Sequence, residues 1–486
     1  MKTDDARQVK FDEETIRALF GNEAAEDENS QRLKEYYVKA PIYSQMKSNI
    51  PFYLLVGHKG VGKSALLRVL HLEDSESGNI PISLQPNEVL SISTTHDVSF
   101  LNSIENWKNG LIEIILKKML ESVGKRTSKL ESFATLLSGV ISKFVGKAKD
   151  NIDIEEITQL FNDSFLEDKK IVVYLDDLDR GWKNSAADIS NISALINAIR
   201  DLLKVMPNLH FRIALRSDVY YAIRTSDETT DKIDSSVLWQ RWTNQEIFVM
   251  LVKRVETFFN RSIDEKMLLP QSQSNLAHYL DPILERKFYG SGKWNDAPMY
   301  QVLMSHIRKR PRDLVKLLTL AARSAQENNR NRILSIDLKH VLPQYSNDRL
   351  TDTINEYKCE FPQIEDLLLK MKPTRKEITK GSPCLFTRAE LTTKLRNILS
   401  NSSYRTDDGR IIDESYLAAF LYKINFLTAR KDQSGKIIRV YYDENQYIHN
   451  NFTDFGYAFE MHPAYRWALQ PQNIDDIFEQ IDLLDS

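Results

Sequence analysis

The sequence predicts an α/β fold in three parts: a parallel sheet flanked by helices, an all-helical region, and a small α+β module. Three observations predict it. A glycine-rich stretch, Gly57-His58-Lys59-Gly60-Val61-Gly62-Lys63-Ser64, stands between the apolar run Phe52-Tyr53-Leu54-Leu55-Val56 and the helical pattern Ala65-Leu66-Leu67-Arg68-Val69-Leu70. A second apolar run, Ile171-Val172-Val173-Tyr174-Leu175, ends in Asp176-Asp177-Leu178-Asp179-Arg180. Uninterrupted apolar runs of this length read as parallel strands buried on both faces. Near the C-terminal end, two helical patterns are followed by alternating segments around Asp432-Gln433-Ser434-Gly435, which reads as a hairpin.

Composition narrows the class. A length of 486 residues suggests about three domains. With 42% hydrophobic and 27% charged residues the chain is of ordinary globular type. A net charge of -3 argues against a general nucleic-acid-coating role. The two cysteines, Cys359 and Cys384, form no C-x-x-C pair, which suits a reducing cytoplasm and gives no zinc signal. The nine histidines never stand four residues apart, so a histidine metal site is not expected. Met1-Lys2-Thr3-Asp4-Asp5 opens no apolar signal segment. No apolar run approaches ~18 residues, so no membrane span is expected. These features together predict a cytoplasmic location.

The elements follow in order. Residues 1–49 are a polar, helical N-terminal lead expected beside the glycine loop. Residues 50–242 carry the sheet. The glycine loop fits the phosphate-binding pattern G-x-x-x-x-G-K-[ST] in its required strand–loop–helix context. Gly57, Gly60 and Gly62 let the backbone curl so that its N–H groups face a phosphate. The helix beginning near Lys63 adds its positive end. Lys63 is then placed for the β- and γ-phosphates, and the Ser64 hydroxyl for Mg²⁺. Ala65 continues the loop into the helix. The fold class is therefore a P-loop NTPase parallel sheet. The acids closing the second apolar run fit the partner motif, with Asp176 on the metal and Asp177 on the attacking water; Asp179 is the alternative for the second role. Residues 89–92 read as a strand, and 100–165 as a helical insertion. Leu209-His210-Phe211-Arg212-Ile213-Ala214-Leu215 reads as the next strand, and Arg216 and Ser217 at its end are candidates to sense the γ-phosphate.

Residues 243–345 read as a helical lid. In Arg308-Lys309-Arg310-Pro311-Arg312, Pro311 suits a first helical turn and places Arg312 beside it. Arg312 is assigned a nucleotide contact; Arg308 and Arg310 are expected on a solvated surface. Residues 346–371 read as one connecting helix and 372–383 as a linker. Residues 384–470 form the α+β module: a helix capped by Thr387 with Glu390, a second from Glu414 to Asn425, a hairpin, and a third strand at 455–460. This pattern reads as a winged-helix domain, with an acidic tail at 471–486. No internal repeat or low-complexity tract is evident.

Phosphate loop, Asp176-Asp177 strand, sensor strand, helical lid with Arg310-Pro311-Arg312-Asp313, and winged helix together resemble the AAA+/STAND superfamily of ATPases. Origin-recognition-type ATPases share the order. Asp176-Asp177-Leu178-Asp179-Arg180 also resembles the acidic motif of KAP-type bacterial ATPases. Ala24-Ala25-Glu26 through Tyr36-Tyr37, with the loop that follows, resembles stand-alone bacterial P-loop ATPases often associated with anti-phage defence. The resemblance covers most of residues 20–470. It implies ATP and Mg²⁺ as cofactors, ATP hydrolysis, and homo-oligomerisation on ATP binding, with Arg180, Arg200 or Arg241 as a finger reaching a neighbour. Two departures stand out. The 113 positions from Lys63 to Asp176 are nearly twice the separation in compact members. Asp177 replaces the usual Glu, which implies slow turnover. No N-K-x-D guanine signature occurs, so ATP is favoured over GTP.

Three functions fit: an ATP-driven switch acting on a separate protein partner, a DNA-binding initiator or loader, and a nucleotide-binding scaffold with little turnover. A DNA reader needs basic residues on its recognition helix. Asp413 to Asn425 carries only Lys423, and Leu385 to Gln470 holds 11 Lys and Arg against 10 Asp and Glu. The sequence therefore favours a protein-contacting winged helix over a DNA-contacting one.

Overall fold

The computed structural model describes residues 9–22, 27–90, 92, 99–123, 169–226, 228–402, 404–405, 411–433, 436–445, 456–470 and 477–478. Two compact units emerge: Ala25–Gln240, and Met1–Ala24 with Arg241–Ser486. The described residues 9–22 thus group with the C-terminal half, and 27–49 of the N-terminal lead with the sheet.

Helix α1 (Glu13–Phe20) belongs to the second unit. The first unit runs α2 (Ser30–Tyr36), α3 (Pro41–Met46), β1 (Phe52–Gly57), α4 (Lys63–Glu76), β2 (Ile80–Leu84), α5 (Pro86–Leu90), α6 (Phe100–Val123), β3 (Ile171–Leu175), α7 (Ala186–Val205), β4 (Leu209–Arg216), α8 (Ser217–Ser226) and β5 (Val237–Trp239). Its sheet has five strands in the order β2-β3-β4-β1-β5, all neighbours parallel. Side chains alternate between two covered faces, which explains the uninterrupted apolar runs. Phe52, Leu54 and Val56 of β1 join Ile171, Val173 and Leu175 of β3 in a core with α6 and α7. Tyr53, Leu55, Val172 and Tyr174 face the other way, onto α4 and the tyrosines of α2 and α3. Ser185 starts α7 with a reciprocal capping box to Asp188.

Of the strand expected at 89–92, Val89 and Leu90 are helical, and Ser91 lies outside the described residues. Pro86 opens the short helix α5 instead, because its fixed φ suits a first turn, and Glu88 accepts the Gln85 N–H at 2.8 Å. The expected insertion is described only as α6; residues 124–165 lie outside the described residues.

The second unit continues with α9 (Asn244–Phe258), β6 (Lys287–Phe288), β7 (Ala297–Pro298), α10 (Met299–His306), α11 (Pro311–Glu327), α12 (Ser335–Tyr357), α13 (Ile364–Lys370) and α14 (Arg375–Thr379). Helix α1 packs on α9 and α11. The all-helical expectation for 243–345 misses the β6–β7 ribbon. The single helix expected over 346–371 is broken between α12 and α13. Pro362 supplies no N–H and disfavours helical backbone at Phe361 before it. The expected linker at 372–383 contains α14, capped by Thr374 and Glu377.

The last module comprises β8 (Leu385–Phe386), α15 (Arg388–Ser400), α16 (Glu414–Lys423), β9 (Leu427–Gln433), β10 (Lys436–Val440) and β11 (Ala458–Met461). The strands form an antiparallel sheet in the order β10-β9-β11-β8. Thr387 and Glu390 make the expected capping box. Leu391, Leu395, Leu417, Leu421 and Phe459 meet in its core.

Arg308 and Arg310 are not on a solvated surface: each is 3% exposed. Arg308 donates to Asp313 through Nε (2.7 Å) and Nη2 (2.9 Å), and through Nη1 to Thr353 (2.9 Å) and Tyr465 (2.8 Å). Arg349 donates to the same carboxylate at 2.8 Å, and Arg310 pairs with Glu356 at 3.0 Å. A second cluster gathers Arg430, Arg439 and Arg466 around Glu460, at 3.3, 2.5 and 2.7 Å. Burial pushes the Glu460 carboxyl up, but the guanidinia of Arg439 and Arg466 outweigh it and hold the group down at about 2. Among the described residues no helix is long and apolar enough to cross a membrane.

Candidate nucleotide-binding site

Strand β1 is interior to the sheet and fully buried, so the loop that follows it has a fixed base. Gly57 pairs in register with Arg216 at the end of β4. A Cβ at Gly57 would lie 2.9 Å from Val61 Cγ2 and 3.1 Å from the Gln240 carbonyl oxygen, so close approach requires glycine here. Gly60 and Gly62 have φ of 83° and 90°. Gly62 is the left-handed N-cap of α4, and its carbonyl accepts the first helical bond from Leu66 at 3.0 Å. The chain therefore turns sharply at Gly62 into the N-terminus of α4, the kind of helix end that can hold an anion.

Lys63 Nζ donates to the carbonyls of Gly57 (2.8 Å) and His58 (3.1 Å). These bonds hold the ammonium across the loop. His58 is buried, and its Nδ1 lies 3.1 Å from Ser217 Oγ. Ser217 is thus tied to the loop's second residue. Lys59 is exposed, Val61 is buried, and Ala65 is half-buried in the first turn of α4.

Asp176 follows β3 and accepts a hydrogen bond from the Ser64 side chain. Desolvation pushes its carboxyl above the ordinary range; the Ser64 bond opposes that, and the neighbouring Asp177 adds to it. A divalent cation beside it would reverse the balance and favour the charged form. Asp177 donates its backbone N–H to Asp176 Oδ1 at 2.9 Å and has a left-handed φ of 54°. Its side chain is exposed. Asp179 takes part in a different contact: Arg216 Nη1 reaches it at 3.1 Å. Arg216 also holds Asp218 in a bidentate pair, at 3.0 and 2.6 Å.

The structure thus brings together Gly57 to Ser64, Asp176, Arg216 and Ser217 at the C-terminal edge of one sheet. Arg312 lies in the first turn of α11, in the other unit. Arg180 is exposed, Arg200 half-buried on α7, and Arg241 opens the other unit. Ser64 and Asp176 suit Mg²⁺, which takes one or two protein oxygens and completes its shell with phosphate and water. No set of three or more His, Cys, Asp or Glu that could hold a metal occurs among the described residues. One neighbour carries no sequence signal: Gln240, directly after β5, is buried against Gly57.

Residues 245–354 match the family model of the FunZ-associated C-terminal helical domain. The chain is 23% identical over 355 residues to a putative transposon gamma-delta 80.3 kDa protein of Escherichia coli (strain K12), across 70% of this chain and 47% of that protein. It is also 37% identical over 70 residues to Allergen Alt a 2 of Alternaria alternata, across 14% of this chain and 37% of the allergen. The chain thus matches less than half the length of either relative. Among solved structures, it is similar to the Aeropyrum pernix ORC2 protein (12% identity, TM-score 0.39, 93% of each chain). It is similar also to Cdc6p from Pyrobaculum aerophilum (12% identity, TM-score 0.32, 96% of this chain and 99% of that one).

Proposed function

We propose that this protein binds ATP with Mg²⁺ on the loop Gly57–Ser64 and hydrolyses it, using the bound state as a switch on a separate protein partner. One observation carries the reading: Lys63 is held across a glycine-shaped loop whose next residue, Ser64, already bonds the acid closing β3. Backbone N–H groups of the loop and Lys63 bind the phosphates. Ser64 and Asp176 would hold Mg²⁺, which would supply charge neutralisation at the phosphates. Asp177, exposed beside Asp176, orients and deprotonates the attacking water. Arg216 can exchange its carboxylate partners for a γ-phosphate oxygen. Arg312 is assigned a γ-phosphate contact made only in the ATP state, which would couple nucleotide to the helical unit.

The test is calorimetry. Lys63→Ala removes a charge-assisted contact worth ~1.5–3 kcal/mol, or ~10- to 150-fold in ATP affinity. Equal affinity in wild type and variant would refute the site.

For the module at 384–470 we propose a winged helix that contacts protein. The only Lys or Arg of α16 is Lys423, and its ammonium is paired with Glu360 at 2.5 Å. A DNA-contacting role is the second reading, and duplex binding that weakens steeply with salt would establish it instead. The proposed setting, drawn from the bacterial ATPases the sequence resembles, is anti-phage defence; Lys63→Ala should then abolish plating protection. ATP is expected to drive self-association, read by light scattering with ATP against ADP.

A further inference from the structure

We propose that Gln240 is a nucleobase-binding residue and that its carboxamide selects adenine. The proposal rests on the nucleotide-site reading above and adds the base-recognising group to it. Gln240 follows β5, and its N–H donates to the Val56 carbonyl at 2.8 Å. That bond sets it level with Gly57, and its Cβ lies 3.3 Å from where a Gly57 Cβ would stand. The residue is 3% exposed, yet neither Oε1 nor Nε2 has a hydrogen-bond partner among the described residues. Buried polar groups are nearly always paired, so a carboxamide unmet at both ends is open to a partner from outside the chain.

Position says which partner. Asp176 reaches Ser64 from the end of β3, and Arg216 closes β4. Both strands lie on one side of β1, and β5 lies on the other. A triphosphate with its terminal phosphate and metal toward β3 and β4 runs its nucleoside off the opposite flank, where Gln240 stands. A carboxamide offers an acceptor beside two donors. Adenine presents its 6-amino donor beside a ring-nitrogen acceptor, the edge that glutamine pairs in bidentate fashion. Guanine presents O6 and N7 there, two acceptors, and would leave Oε1 unmet.

The test is calorimetry on the full chain with ATP, GTP and purine riboside triphosphate, which lacks the 6-amino group. Wild type should favour ATP over both others by ~5- to 150-fold, the value of one bidentate pair. Gln240→Leu should bring the three affinities together. Gln240→Glu keeps the size but loses the donors, and should shift preference toward GTP, whose N1–H and 2-amino group can donate. Thermal melting without nucleotide checks that each variant folds, and the wild-type comparison of the three nucleotides stands without any variant. Wild type binding all three alike, or either variant keeping the wild-type ratio, would overturn the proposal. Undiminished ATP binding by Lys63→Ala would instead refute the loop as the site, since Lys63 sets affinity for every triphosphate and Gln240 sets the ratio among them.

Discussion

Replacing Asp313 by alanine should cripple the helical unit more than any surface change. Its carboxylate is 1% exposed and accepts from Arg308 Nε, Arg308 Nη2, Arg349 Nη1 and the Arg308 backbone N–H, at 2.7, 2.9, 2.8 and 3.2 Å. Its removal leaves two buried guanidinia without their shared counter-charge. Deleting one partner of a buried ion pair costs about 3–5 kcal/mol, because the remaining charge stays desolvated. The half-exposed pair Lys316–Asp348, at 3.4 Å, is the control: Asp348→Ala should cost under about 1 kcal/mol. The assay is native-state hydrogen exchange of the α11 and α12 amides, which reads local opening without requiring two-state unfolding of both units. Asp313→Ala should speed exchange there by roughly two to four powers of ten. Acceleration below roughly tenfold, about 1.4 kcal/mol, would show that the guanidinia find other partners and refute the reasoning. The pH sign is fixed as well. Burial pushes the Asp313 carboxyl up and Arg308 outweighs it, so its folded pKa is depressed. Its contribution is present above the ordinary value of 3.8 and is lost as pH falls below it.

Other outcomes follow from the same geometry. Glu460 is held at about 2 against an ordinary 4.5, so it contributes roughly 3 kcal/mol above pH 4.5 that disappears as pH falls toward 2; Glu460→Gln should flatten acid unfolding over that window, and an unchanged acid midpoint would contradict it. Gly57→Ala should cost about 1–3 kcal/mol by overpacking against Val61 and Gln240, with weakened ATP binding by calorimetry. Asp177→Asn should abolish phosphate release yet keep nucleotide binding; undiminished release would move the water-orienting role to Asp179 or off this strand. Ser185→Ala should remove the cap of α7 and lower stability by about 1 kcal/mol in denaturant titration.

What the sequence could disclose followed range of interaction. The strand–loop–helix turn at Gly57–Ser64 and the acid-ended strand β3 were legible because each is a handful of consecutive residues whose shape is set by local backbone. The capping box at Thr387 is local in the same way. Arg308 and Arg310 were misplaced because their burial depends on residues far along the chain: Tyr465 for one and Glu356 for the other. A run of basic residues carries no mark of partners 46 or 157 positions away. Gln240 was invisible for the same reason, since its burial comes from strand pairing with β1. The break before α13 was different: Pro362 was in plain view, and an apolar helical pattern on both sides masked it. At 89–90 a strand was expected, but Pro86 sets a helical first turn that carries through Leu90.

The left-handed backbone at Asp177 bears on the water-orienting role proposed for it. Lengthening the acid by one methylene, Asp177→Glu, would extend its reach toward a water. Yet at a φ of 54° aspartate and asparagine are the side-chain-bearing residues favoured most, since a short polar group can satisfy its own neighbourhood. Glutamate gives up that local compensation and would pull the chain toward an extended conformation. The N–H that now reaches the Asp176 carboxylate would turn with it. Reach at one acid and alignment of the other are therefore a single variable, and under the proposed hydrolysis a faster turnover would have to come from moving the strand end, not from exchanging one side chain.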